Sequence, residues 1–167
     1  AHAAAHKHVP LMETNATEAV KNNVLGSLTL GEVAGECGAE AFILISTDKA
    51  VRPSSVMGGT KRVAELVVQW LGHRYATRYV AVRFGNVLGS AGSDAKRMIE
   101  LSGHRRSGEI DIVFTGVRPG EKLFEELQYG GEAIDKTRHP KIFIGKIAGV
   151  PASELSAALS SLRALAA

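Results

Sequence analysis

The sequence predicts an α/β fold: a partial parallel sheet with flanking helices. Three observations point there. Short apolar runs alternate with segments of helical periodicity, as in strand–helix–strand units. The run Ala41–Ser46 is apolar without interruption up to its final serine, which suits a strand buried on both faces. Polar or glycine-rich loops follow the first two such runs, where open α/β sheets bind ligands.

The elements follow in order. From Thr14 to Cys37, Ala16, Ala19, Val20, Val24, Leu28, Val33 and Ala34 recur at helical spacing. One long helix is expected there, bent near Gly26 and ended by Gly38. The strand at 41–46 comes next, then a polar loop from Thr47 to Val56. Residues 57–74 read as an amphipathic helix with Val63, Leu66, Val67, Trp70 and Leu71 on one side. A second strand is expected at 79–84, followed by GNVLGSAG. Further along, the pattern predicts short helices at 95–101 and 122–127, strands at 111–114 and 141–145, and a turn at 116–120. A terminal helix is predicted at 153–165, with Ser153 as its N-cap.

Composition narrows the class. Of 167 residues, 45% are hydrophobic and 22% charged, which excludes a disordered tail, a collagenous repeat or a small disulfide scaffold. Net charge is only +3 and no block of like charges occurs, so neither nucleic acid nor a membrane surface is implied as a partner. No apolar run approaches the ~18 residues of a spanning helix. The single cysteine, Cys37, cannot form an internal disulfide, which fits a reducing, cytoplasmic setting. It is expected as a small buried apolar residue. The opening AHAAAHKHVP has no Met and no leading strand, so a piece of a longer protein is expected, and not a signal peptide.

Four segments carry candidate chemistry. Ser46-Thr47-Asp48-Lys49-Ala50 sets a hydroxyl, a carboxylate and an amine at a strand's carboxyl end. Such a trio suits removal of a hydroxyl β to a carbonyl: the acid protonates the leaving oxygen, the amine takes a carbon-bound proton, and the hydroxyl holds the carbonyl oxygen. The plainer reading is a strand-end turn with a solvated lysine. In Met57-Gly58-Gly59-Thr60-Lys61, Met57 and Lys61 share a helix face; the glycines do not have phosphate-loop spacing. Asn86, after the second strand, could bind a sugar hydroxyl or phosphate. Arg118 and Lys122, around the Pro119-Gly120 turn, suit a diphosphate, with Glu121 on ribose hydroxyls. The plainer reading of that segment is a charged surface turn. His2, His6 and His8 lack acidic or cysteine partners nearby, and no metal site is assigned.

Together HAAAHKHVPLME, KNNVLG, LISTDKAVRPSSVMGGTKRVAE, VRFGNVLGS and FTGVRPGEKLFEEL resemble the CapD-type polysaccharide-biosynthesis proteins. These are extended short-chain dehydrogenase/reductases, notably UDP-N-acetylglucosamine 4,6-dehydratases and related epimerases. The segments occur in family order over most of residues 2–127, and HPKIFIGK also fits. The resemblance implies a partial Rossmann-like sheet. Residues 1–92 would form the carboxyl-terminal part of the NAD(P)-binding domain with the catalytic motif. Residues 93–167 would form the UDP-sugar-binding and C-terminal portion.

It also implies site roles. The cofactor, NAD or NADP, takes a hydride from sugar C4 and returns it to C6. Lys49 would remove the C5 proton, Asp48 would protonate the departing C6 hydroxyl, and Thr47 would hold the 4-keto oxygen. As a base Lys49 would work in its neutral form, which burial or a neighbouring cation favours. Lys61 would bind the nicotinamide ribose and could supply that cation. Ala3, Ala4, Ala5 and Lys7 would flank the cofactor, and Asn23 would support the geometry beside it. Asn86, Arg118 and Glu121 would hold the UDP portion of a UDP-N-acetylhexosamine. An epimerase of the same superfamily, or a non-catalytic remnant, would share most of these motifs. Homo-oligomerisation is left open.

Three departures accompany the resemblance. Met57 stands where the family usually has the tyrosine four residues before the lysine, and a thioether cannot exchange a proton. The family's large, membrane-anchored dehydratases share that Met, which points to that branch and to the cytoplasmic face of a membrane. The glycine-rich cofactor loop, expected ahead of HAAA, is missing, so weak turnover at best is expected of this chain. Several dozen residues expected between FGNVLGSAGSD and the FTGVRPGEK segment are also missing.

Overall fold

The computed structural model describes residues 1–85, 103, 116, 120–122, 124–128, 130 and 134–166. Asn86, Arg118, the expected helix at 95–101 and the expected strand at 111–114 lie outside the described residues. So does most of the turn expected at 116–120.

The chain starts extended, with His2 pairing in parallel with Leu44. Helix α1 (Val9–Glu13), which periodicity did not predict, carries Pro in its first turn, where a missing N–H costs nothing. Next comes the long helical segment, in three parts: α2 (Ala16–Ala19), a π-helix (Val20–Leu25) and α3 (Gly26–Glu36). Ala19, Leu25 and Gly26 all keep helical dihedrals, so the segment is continuous. The irregularity falls before Gly26, in the π-turns around Asn23. Gly38 (φ +66°) closes the helix. The amides of Gly38 and Ala39 donate to the carbonyls of Gly35 and Ala34, the Schellman pattern that glycine permits. Cys37 caps this end and is exposed, not buried as expected, because the helix has by then passed its last core contact.

Strand β1 (Ala41–Ile45) pairs in parallel with β2 (Arg78–Val82), joined through α4 (Val56–Leu71). β1 is therefore central, with the His2 stretch on one side and β2 on the other. Phe42 and Leu44 pack with Ala64 and Val68 of α4, and with Tyr79 and Ala81 of β2. Ile43, Val80 and Val82 alternate onto the opposite face and are exposed, so the strand is buried on one face rather than two.

Helix α4 is buried on more than one side. Ser55 caps it, accepting from the Gly58 amide at 3.1 Å. Val67 and Leu71 join Val24, Leu28, Leu155 and Leu159 in the largest core cluster. Each such leucine contributes about 1.5–3 kcal/mol on burial. Leu155 and Leu159 come from the terminal helix α5 (Ala152–Ala166), which starts before Ser153, so that residue lies in its first turn and is not the cap. β3 (Ile134–Lys136) and β4 (Phe143–Gly145) form a separate antiparallel pair. The expected helix at 122–127 is absent: residues 122 and 124–127 lie outside any helix. Lys122 and Glu126 reach instead to the loop before α4, at Val51 and Arg52.

Candidate active site

The carboxyl ends of the parallel strands converge at one edge. Ser46 donates its amide to Val82 O (2.8 Å), and Asp48 donates its amide to Phe84 O (3.2 Å). The loops after β1 and β2 are thus tied together. Because His2 runs parallel to β1, Ala3–His8 emerge at the same edge.

Residues Asp48–Ala50 form one 3₁₀ turn after Thr47. The Thr47 hydroxyl accepts from the Lys49 amide at 3.4 Å and donates to Asp48 Oδ1 at 2.8 Å. Lys49 Nζ donates to the same oxygen at 3.1 Å. Asp48 is only 1% exposed, whereas the Lys49 side chain is 23% exposed. The trio is therefore one connected unit, its carboxylate enclosed and its lysine partly exposed. Gly58 lets α4 approach this turn: a Cβ there would lie 2.4 Å from Lys49 O.

Lys61 is buried and donates to Ile45 O at 2.6 Å. Burial lowers its pKa, against an opposing pull from Glu65. Met57, one helical turn earlier, packs among Val9, Met12 and Ala19. Asn23 is fully enclosed. Its Nδ2 donates to His6 O (3.1 Å) and Thr60 Oγ1 (3.0 Å), and its Oδ1 accepts from His6 N (2.8 Å). It holds the Ala3–His8 stretch and does not present its amide outward. π-turns recur at functional sites, and here one carries Asn23.

His2 pairs beside β1 and His6 lies outside any helix. His2 is buried with Nε2 3.0 Å from Ser27 Oγ, which itself donates to Asn23 O at 2.7 Å. That hydroxyl has one proton, so Nε2 carries the hydrogen between them. Burial, and then Lys61, lower the His2 pKa. Ala3, Ala4 and Lys7 are exposed and Ala5 half-buried. Glu121 is exposed. Nearby, Lys122 Nζ donates to Val51 O, Arg52 pairs with Glu126, and Ser54 Oγ donates to Gly120 O at 3.3 Å.

Sequence reasoning overlooked Glu65. It sits four residues after Lys61, on the same face, and an acid at that spacing on a buried face was the available signal.

A parallel α/β layer with polar side chains gathered at the strand carboxyl ends is the frame of a ligand-binding, Rossmann-like protein. The chain belongs to the family described as "Polysaccharide biosynthesis protein", which residues 1–95 and 93–147 match. It is 40% identical over 206 residues to "Probable polysaccharide biosynthesis protein EpsC" of Bacillus subtilis, covering 87% of this chain and 34% of that protein. It is 39% identical over 208 residues to "Capsular polysaccharide biosynthesis protein CapD" of Staphylococcus aureus, covering 87% and 35%. It is 31% identical over 163 residues to "UDP-N-acetylglucosamine 4,6-dehydratase (inverting)" of Campylobacter jejuni, covering 95% and 48%. Among solved structures, the X-ray structure of Pen from Bacillus thuringiensis superposes with a TM-score of 0.53 at 35% identity, over 55% of this chain and 30% of that one. The chain thus spans about a third to a half of the length of these curated relatives. Alignments of 206 and 208 positions exceed its 167 residues, so EpsC and CapD carry a stretch without counterpart here. Among the described residues no helix is long and apolar enough to cross a membrane.

Proposed function

We propose that this chain carries the acid–base centre of a nucleotide-sugar 4,6-dehydratase of surface-polysaccharide synthesis, acting on a UDP-N-acetylhexosamine with NAD or NADP. The observation that carries the reading is the Thr47–Asp48–Lys49 unit at the strand carboxyl edge, with both Thr47 and Lys49 on Asp48 Oδ1. The UDP-N-acetylglucosamine 4,6-dehydratase relatives supply the substrate class.

The residues present fit the nicotinamide end of a dinucleotide. Ala3–Ala5 carry only methyl groups along the edge, so a flat ring can approach their main chain, and the buried Lys61 offers hydroxyl-binding hydrogens. When bound, the nicotinamide supplies hydride acceptance and return. The chain's own residues handle the protons. Passing the shared proton from Lys49 to Asp48 leaves a neutral amine and a carboxylic acid, the base and acid that elimination needs. Lys49 then takes the C5 proton and Asp48 gives one to the C6 hydroxyl, which departs as water. The pair returns to ammonium and carboxylate with no net proton exchanged. Thr47 orients Asp48 while that group is a carboxylate; once Asp48 carries the proton it no longer needs the threonine hydrogen, which then turns to the 4-keto oxygen. Buried Met57 takes no part in proton transfer, so the Asp–Lys pair does the work that tyrosine shares elsewhere.

The test is incubation of the complete gene product with UDP-N-acetylglucosamine and cofactor, read by NMR. A 4-keto-6-deoxy product is expected, lost in Asp48→Asn and Lys49→Ala. A C4 epimer retaining its C6 hydroxyl would instead establish the epimerase reading, and no turnover would sink both.

A further inference from the structure

Beside the Thr47–Lys49 turn lies a buried ion cluster that the proposed chemistry does not use. Glu65 of α4 is fully enclosed. Its Oε1 accepts from Ser46 Oγ at 2.6 Å and from Arg83 Nε at 2.8 Å. Its Oε2 accepts from Arg83 Nη2 at 2.8 Å and Arg62 Nη1 at 3.1 Å. The partners come from separate places. Ser46 is the first residue past β1, immediately before the turn. Arg83 is the first residue past β2, and its Nη1 also donates to Leu127 O at 3.1 Å. One carboxylate therefore joins a helix, two strand ends and the 124–127 segment.

Stability alone accounts poorly for this arrangement. A buried ion cluster is often no more stable than apolar residues of the same volume, because desolvation offsets the Coulombic gain. What it does supply is direction. The two-pronged Arg83 fork fixes the plane of the carboxylate, and the short Ser46 bond transmits that plane to the main chain. Main-chain bonds also tie the turn to the second strand, from Ser46 N to Val82 O and from Asp48 N to Phe84 O.

We infer that Glu65 is a positioning residue: through Ser46 and Arg83 it sets where the Thr47–Asp48–Lys49 turn stands at the strand edge. The inference rests on the reading that Asp48 and Lys49 perform the proton transfers. It assigns Glu65 no contact with substrate or cofactor.

The test compares Glu65→Gln and Ser46→Ala with wild type in the complete gene product, reading steady-state kinetics and amide hydrogen exchange. Glu65→Gln is expected to lower kcat about 10- to 100-fold and Ser46→Ala about 10-fold, with KM little changed. Exchange should quicken at residues 46–50 while α4 stays protected. Should Glu65→Gln fail to fold, Ser46→Ala decides the matter, since it keeps the Glu65–Arg83 pair. Wild-type kcat and wild-type exchange at 46–50 in the folded variants would overturn the inference, as would uniform loosening of the whole chain. If wild type makes no 4-keto product, the dehydratase reading fails separately, and exchange at 46–50 still decides whether Glu65 holds the turn.

Discussion

Asn23 grips both main-chain groups of His6, accepting its amide at 2.8 Å and donating to its carbonyl at 3.1 Å. The two residues are 17 positions apart, and the contact pairs a side chain with a backbone as a neighbouring strand would. It fixes the path of Ala3–His8 across the strand edge. Asn23→Ala would leave those groups without their partner in a largely closed site. A loss of about 1–3 kcal/mol is expected, measured by urea unfolding. Amides from Ala3 to His8 should exchange faster even where the variant remains folded.

Gly58 stands where α4 meets the 3₁₀ turn. A methyl group added there would meet Lys49 O at 2.4 Å, and a carbonyl cannot swing aside as a side-chain end can. Gly58→Ala should cost about 1–3 kcal/mol despite alanine's better helix propensity. Gly59→Ala is the control, because its Cβ would meet nothing within 4 Å. A stable Gly58→Ala protein with full activity would contradict the close approach.

His2 ties stability to pH. Burial, then Lys61, hold its imidazole below the ordinary value of about 6.5. The unfolded chain therefore takes up its proton first as pH falls. The stabilisation is fully present above about pH 6.5 and is lost as pH falls toward and through the folded value. Urea midpoints between about pH 7.5 and 5 should decline more steeply for wild type than for His2→Gln. Equal slopes would remove His2 from the account.

Leu71 is fully buried where α4 meets α3, the π-helix and α5, and its Cδ1 would lie 2.5 Å from a Cβ added at Gly31. Leu71→Ala is expected to cost about 2–5 kcal/mol by thermal or urea unfolding. Leu165, 75% exposed on α5, should change stability by less than about 0.5 kcal/mol when replaced by Ala.

Much of the strand-edge site was legible because its signals are local. The apolar run before Ser46 marks a strand, and a strand's carboxyl end is where such sheets place ligand groups. Asp48 and Lys49 are adjacent in sequence, so their pairing needed little tertiary information. Met57 and Lys61 fell on a shared face through helical spacing alone. Glu65 was legible only in part: its spacing from Lys61 marks an acid on a buried face, but its partners Ser46 and Arg83 lie 19 and 18 residues away and leave no local trace. Glu121 bears a motif, yet its sequence neighbours are fixed by contacts to residues 51–54, some 70 positions earlier.

The sequence by itself determined the helix–strand–helix–strand order between Ala16 and Val82, the close of the long helix at Gly38 and the place of Ser46–Ala50 after a strand. These follow from backbone preference and periodicity, which act over a few residues. Only the tertiary structure decided that Ile43 faces outward, that Cys37 is exposed, that residues 122 and 124–127 lie outside the expected helix, and that Asn23 points inward from a π-turn. Those outcomes depend on which distant groups arrive to pair with a given side or face. Burial and hydrogen bonding between segments far apart in the chain leave no periodic trace in either segment alone.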